Sequence, residues 1–146
     1  MHEFPHRYIV SAAAETEGKV RIDGDDVVTI ESVPPVEFGG PGGDWSPESL
    51  LVAAVADCFI LTFRAIARAS RFEWVDLSCD VVGVLDRVDR TTRFTGFEVD
   101  AQLTVPAGTD EAKATRLLEK AEHGCLITNS LIAESQLATS VVFADQ

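Results

Sequence analysis

The sequence predicts an α+β fold, on three observations. A loop rich in proline and glycine, residues 34–43, leads into a long apolar stretch that opens Ser46-Pro47-Glu48. Two long segments then alternate apolar and polar residues, and an amphipathic stretch precedes a last β-rich run. Strands, an apolar helix, a hairpin, a second helix and a final strand make an α+β domain. At 146 residues the chain suits one domain spanning 1–146. Such a domain buries roughly 70% of its unfolded surface and needs no disulfide or metal staple.

Each element has a local reason. Arg7 to Ala13 is strand-like, Gly18 suits a turn, and Lys19 to Ile22 follows as a second strand. Asp23-Gly24-Asp25-Asp26 is a turn signal before the β-branched run Val27 to Ile30, so the three segments form a small antiparallel meander. Pro34-Pro35 and the glycines from Gly39 to Gly43 exclude both helix and strand from that loop. Ser46 is placed as an N-cap, with Pro47 at the first helical position and Glu48 at the positive end of the helix dipole. This helix is expected to run to about Ala69, enclosed on most sides because it is apolar nearly all round.

Glu73 to Val88 and Arg93 to Val105 form a long hairpin joined by Asp89-Arg90-Thr91-Thr92. Val75, Leu77, Cys79, Val81, Gly83 and Leu85 share one face of the first strand, and Phe97, Val99, Ala101, Leu103 and Val105 one face of the second. Thr109 or Asp110 caps a helix through about His123, with Ala114, Leu117, Leu118 and Ala121 inward. Leu126 to Glu134 adds a further helical turn or two, and Gln136 to Ala144 a final strand.

Composition narrows the function. Apolar residues make up 46% and charged residues 25%, ordinary globular usage. Acidic residues number 24 against 12 basic, and the net charge of −12 repels nucleic-acid backbones and anionic membrane surfaces. The N-terminal residues show no basic region followed by an apolar stretch, and the apolar stretch Leu50 to Ile66 is interrupted by Asp57 and Arg64. A soluble chain with three cysteines and no such leader is expected in the reducing cytoplasm.

The glycine loop lacks the Lys-Ser/Thr of a P-loop and the spacing of a dinucleotide fingerprint, so it is expected to be a compact turn that lets backbones approach. Cys58, Cys79 and Cys125 form no close pair, and only His123 and Cys125 come near a ligand spacing, so no metal is expected. Taken alone, Cys58 midway along an apolar helix is a small hydrophobe. Cys79 alternates on a strand face as core, whereas Cys125 follows a helix end, where exposure is expected.

The joined pattern Gly39-Gly-Pro-Gly-Gly-Asp-Trp-Ser-Pro-Glu-Ser-Leu-Leu-Val-Ala-Ala-Val-Ala-Asp-Cys58 resembles the OsmC/Ohr family. Ala121-Glu-His-Gly-Cys125-Leu-Ile-Thr-Asn-Ser-Leu is similar to that family's second cysteine element, and the order of elements agrees over nearly the whole chain. The resemblance implies an OsmC/Ohr-like fold, antiparallel strands around a buried central helix, in an intertwined homodimer with two active sites at the subunit interface. It implies thiol-dependent reduction of small organic hydroperoxides, with no cofactor, by a dithiol such as a lipoyl group or thioredoxin. Within it Cys58 is the peroxidatic cysteine, Cys125 the resolving cysteine, and Glu48 the glutamate that pairs with an activating arginine.

The sequence departs from the family at that arginine, for which no residue falls in register. Lys19 and Arg21 are the nearest cations, on one strand face opposite Val20 and Ile22. Lysine is a point charge and cannot form arginine's bidentate bridge. Glu48 and Cys58 are ten residues apart, about 15 Å along a continuous helix. Either that helix is broken between them or Glu48 serves the thiol of a partner subunit. The competing reading is a non-enzymatic relative that binds a small apolar ligand or senses redox state.

Overall fold

The structure, a computed structural model, describes residues 1–145. Its elements are β1 (Val10–Ala13), β2 (Val20–Gly24), β3 (Ile30–Ser32), a 3-10 turn (Val36–Phe38), α1 (Pro47–Ala69), β4 (Asp76–Val88), β5 (Thr91–Val105), α2 (Glu111–Gly124), α3 (Leu126–Asn129) and β6 (Glu134–Phe143). The α+β class is as predicted. The chain forms two compact units, Met1–Leu51 and the remainder from Val52.

In the first unit β1, β2 and β3 form the expected antiparallel meander in that order. The third strand begins at Ile30, later than the β-branched run at Val27 suggests. Asp26 takes a positive φ of 57°, and the Thr29 hydroxyl donates to Asp23 at 2.6 Å. The chain turns at Asp25-Asp26 and resumes strand pairing only at Ile30, which leaves Val27 and Val28 exposed.

The glycine loop is a compact turn. The Pro35 carbonyl accepts from the N–H groups of Phe38 and Gly40, both at 3.0 Å, and Gly39 closes the 3-10 turn at φ 83°. A side chain on Gly40 would collide with the Pro34 carbonyl. Ser46 then caps α1: its hydroxyl accepts from the Ser49 N–H at 3.1 Å while the Ser49 hydroxyl accepts from the Ser46 N–H at 2.9 Å. This reciprocal exchange satisfies two donors at the helix start.

α1 is unbroken over 23 residues, long and apolar enough by length and composition to cross a bilayer. Its environment corrects one expectation. The helix is not enclosed on most sides: Val55, Phe59, Phe63 and Ala67, an i, i+4 stripe, are buried, while Leu61 is 51% exposed. Its apolar residues exceed what one packing face of this chain can cover.

In the second unit β4 and β5 form the long hairpin, tightened to the two-residue turn Asp89-Arg90. Both turn residues have positive φ, 51° and 68°, the geometry whose twist matches that of the flanking strands. β4 begins at Asp76, so Val75 falls outside it and is exposed. Phe97, Val99, Ala101, Leu103 and Val105 alternate inward along β5 and are all buried. Asp110 caps α2 by accepting from the Lys113 N–H at 3.2 Å, and Ala114, Leu117, Leu118 and Ala121 are its buried face, as predicted.

The last strand corrects the expectation of antiparallel strands throughout. β6 pairs with β5 in parallel, from Gly96↔Glu134 to Val105↔Phe143, giving the order β4-β5-β6. The chain leaves the end of β5, passes through α2 and α3, and re-enters beside the start of the paired region. A helical crossover of this length is what parallel pairing requires.

Gly83 on β4 is where α1 approaches this sheet. A Cβ there would lie 2.6 Å from Val52 Cγ2 and 2.9 Å from the Phe94 ring. Phe94 and Phe97 stack beside it, centroids 5.3 Å apart. Gly83→Ala is expected to destabilise the fold by about 1–3 kcal/mol through overpacking. Urea denaturation measures this, and an unchanged midpoint would mean the helix yields without strain.

Candidate functional site

Cys58 stands in the middle of α1, half-buried, not sealed in the core. It opens onto a cavity of about 500 Å³ lined by Ala54, Asp57, Leu61, Thr62, Ala65, Leu126 and Ile127. Five of these seven are hydrocarbon side chains, so the sulfur faces an apolar space suited to an alkyl or aryl group. Thr62, one turn along the helix, brings its hydroxyl oxygen to 3.8 Å from the Cys58 sulfur.

Cys125 joins α2 to α3 and serves as cap to both. Its N–H bonds to the Glu122 carbonyl at 3.3 Å, and its own carbonyl accepts from the Asn129 N–H at 3.0 Å and the Thr128 hydroxyl at 3.1 Å. These bonds hold the corner rigid with the residue inward. Cys125 is 1% exposed, which overturns the expectation of an exposed helix-end thiol.

The corner that carries Cys125 borders the Cys58 cavity through the two residues that follow it. Leu126 and Ile127 line it, and a Cβ on Gly124 would lie 3.4 Å from the Thr62 methyl. All three cysteines are free thiols.

Cys79 lies half-buried on the inward face of β4, paired with Ala101 across the hairpin. Burial, reinforced by the charge of neighbouring Asp80, pushes its thiol up to about 11. Against the reference value of 9.0 for the same group, the thiolate fraction at neutral pH falls by about a hundredfold. Alkylation of Cys79 in the folded protein is therefore expected to be about a hundred times slower than in the unfolded chain. Peptide-resolved labelling with iodoacetamide reads this, and equal rates would remove the burial argument.

The remaining candidates lie in the first unit. Glu48 is half-buried in the first turn of α1. The helix continues without a break to Cys58, so their ten-residue separation amounts to about 15 Å of rise along the axis. Lys19 immediately precedes β2, and its Nζ sits 2.9 Å from Asp44 Oδ2. That hydrogen bond and the Asp44 charge raise its affinity for the proton. The pair ties β2 to the loop that opens α1. Arg21, within β2, is held by Asp23, Nε to Oδ2 3.0 Å. Thr29, donating to the same Asp23, keeps that carboxyl below the ordinary range. The structure thus pairs each of the two cations with an aspartate.

Thr62 is the site residue that the sequence reading passes over. Its signal is the i, i+4 spacing from Cys58, which puts the two on one helix face.

An α+β chain with one cysteine on an apolar cavity and a second at the corner beside it defines a class. The chain belongs to the OsmC-like protein family, whose model matches residues 40–140 and so takes in Glu48, Cys58 and Cys125 but neither Lys19 nor Arg21. It is 30% identical over 122 residues to an organic hydroperoxide resistance protein of Xanthomonas axonopodis pv. citri, covering 82% of each chain. It is also 30% identical over 127 residues to the uncharacterized protein YmaD of Bacillus subtilis, covering 82% of this chain and 83% of that one. Among solved structures it resembles an organic hydroperoxide resistance protein OsmC from Legionella pneumophila, with TM-score 0.75, 25% identity, and 96% and 99% coverage. An OsmC-like protein from Vibrio cholerae shares the fold at TM-score 0.81 and 18% identity, with 94% and 100% coverage.

Proposed function

We propose that this protein is a thiol peroxidase that reduces small organic hydroperoxides to alcohols, with Cys58 as the reacting thiol. The observation that carries the reading is the half-buried Cys58 at the wall of an apolar cavity bordered by the Cys125 corner. The names of the Xanthomonas and Legionella relatives support it.

The reaction balances with these residues. The Cys58 thiolate attacks the distal peroxide oxygen, the O–O bond breaks, and the departing alkoxide takes a proton to leave as alcohol. Sulfur is oxidised by two electrons to a sulfenic acid. The Cys125 thiol then displaces its hydroxyl as water, forming a Cys58–Cys125 disulfide, and an external dithiol returns two electrons and two protons. A lipoyl group or a thioredoxin-like protein fits that last role. The apolar cavity wall favours an alkyl or aryl hydroperoxide over hydrogen peroxide.

The active form is a homodimer in the cytoplasm. The uncovered apolar side of α1, with Leu61 at 51% exposure, supports a second copy as its cover. The unbroken helix supports Glu48 acting on the partner subunit's Cys58 rather than its own. Lys19 is the better candidate for the activating cation, because its partner Asp44 stands in the loop that opens the helix bearing Glu48.

The test is dithiol-dependent consumption of cumene hydroperoxide by the folded, reduced protein. Sustained turnover supports the reading. Its absence favours a ligand-binding relative, the alternative supported by the pairing of Arg21 with Asp23.

A further inference from the structure

We propose that Thr62 is a positioning residue for Cys58, its hydroxyl donating a hydrogen bond to the thiolate and fixing the sulfur toward the apolar cavity. The inference deepens the peroxidase reading and rests on it for its consequence in catalysis.

Four observations carry it. Cys58 and Thr62 are one turn apart on an unbroken helix and share a face. The hydroxyl oxygen stands 3.8 Å from the sulfur, within reach of a hydrogen bond to it. A threonine hydroxyl in a helix often turns back to a carbonyl of the preceding turn; here the sulfur is its partner. The other branch of the side chain, the Thr62 methyl, faces Gly124, where a Cβ would lie 3.4 Å from it, so the glycine leaves that methyl room at the α2–α3 corner. With the methyl directed to the α2–α3 corner, the hydroxyl is directed to Cys58.

The surroundings make the bond count. Leu61, Ala65, Leu126 and Ile127 line the cavity with hydrocarbon, and α3 brings no charge to it. Asp57, on α1, is the other ionisable lining residue, and a carboxylate opposes a thiolate. A hydroxyl donor is therefore the favourable polar contact that the cavity wall offers the ionised sulfur, and a hydrogen bond to an ion is stronger than one between neutral groups.

The experiment is the pH profile of Cys58 alkylation by iodoacetamide in the full-length reduced protein, read on the Cys58 peptide by mass spectrometry. Thr62→Val removes the hydroxyl and keeps the shape. It is expected to slow alkylation at neutral pH several-fold and to displace the profile toward higher pH. Thr62→Ser keeps the hydroxyl and is expected to restore the wild-type profile. Should valine disturb the helix, Thr62→Ala gives the same displacement with nothing added to the packing. A valine or alanine profile that overlays wild type overturns the proposal. So does a serine profile displaced as far as valine's, because the effect would then not depend on the hydroxyl. Alkylation needs no peroxide, so a protein without peroxidase activity still reports on Thr62, and the two failures are separate results.

Discussion

Replacing Cys58 with serine is expected to abolish dithiol-dependent turnover of cumene hydroperoxide, a loss of at least about a thousandfold. The hydroxyl of serine does not ionise at neutral pH, and oxygen cannot cycle through the sulfenic acid that carries the two electrons. The substitution removes little volume at a half-buried position, so the helix and its buried stripe of Val55, Phe59, Phe63 and Ala67 should persist. Far-UV circular dichroism and the melting midpoint are the controls. Residual turnover within tenfold of wild type, in a folded variant, would assign the chemistry to another group.

Cys125→Ser is expected to separate the two halves of the cycle. The first equivalent of hydroperoxide should be consumed as fast as in wild type, since the attacking thiolate and its cavity are intact. Turnover should then stop, because no second thiol condenses with the Cys58 sulfenic acid. A sulfenic-acid trap such as dimedone should label Cys58 in this variant and leave the wild type unlabelled after its disulfide closes. The burial of Cys125 sharpens the prediction. Condensation requires its sulfur to come within disulfide geometry of Cys58, Cα atoms about 4.4–6.8 Å apart. The hydrogen bonds that lock the α2–α3 corner, at the Cys125 N–H and carbonyl, are the ones that would have to yield if that approach needs movement. Continued turnover by Cys125→Ser at the wild-type rate would dismiss it as the resolving thiol and direct attention to an external one.

The elements that were legible in the sequence are those with a local physical cause. Ser46-Pro47 starts a helix because proline has no N–H to lose there and serine supplies an acceptor, and the Ser46–Ser49 exchange is that chemistry in place. The β4–β5 hairpin follows from two alternating faces around a turn, and α2 from its four inward apolar positions. Misread features depend on what lies outside the segment. Alternation along Gln136 to Ala144 says that a strand forms but not in which direction it pairs. The α2–α3 crossover decides that. Val27 and Val28 carry strand propensity, yet the turn at Asp25-Asp26 leaves them outside the pairing that resumes at Ile30.

The same distinction holds at the site. Cys58, Cys125 and Glu48 stand out as candidates because they lie in motifs with specific spacing. The inward lock of Cys125 was not, since it comes from backbone bonds to Glu122 and Asn129 that no local pattern announces. Lys19 and Arg21 were legible as nearby cations, but their aspartate partners lie in a loop and further along the strand. Thr62 carries no motif of its own, and only the helix geometry beside Cys58 brings it into view.

The most direct test of the central claim is a stoichiometric one. Reduced protein is mixed anaerobically with one equivalent of cumene hydroperoxide, and the product is analysed by intact mass and by digestion without reductant. The peroxidase reading predicts conversion of the hydroperoxide to alcohol, loss of two hydrogen atoms per chain, and a cross-linked peptide joining Cys58 to Cys125 with Cys79 still a thiol. Intact hydroperoxide beside fully reduced, folded protein would contradict it.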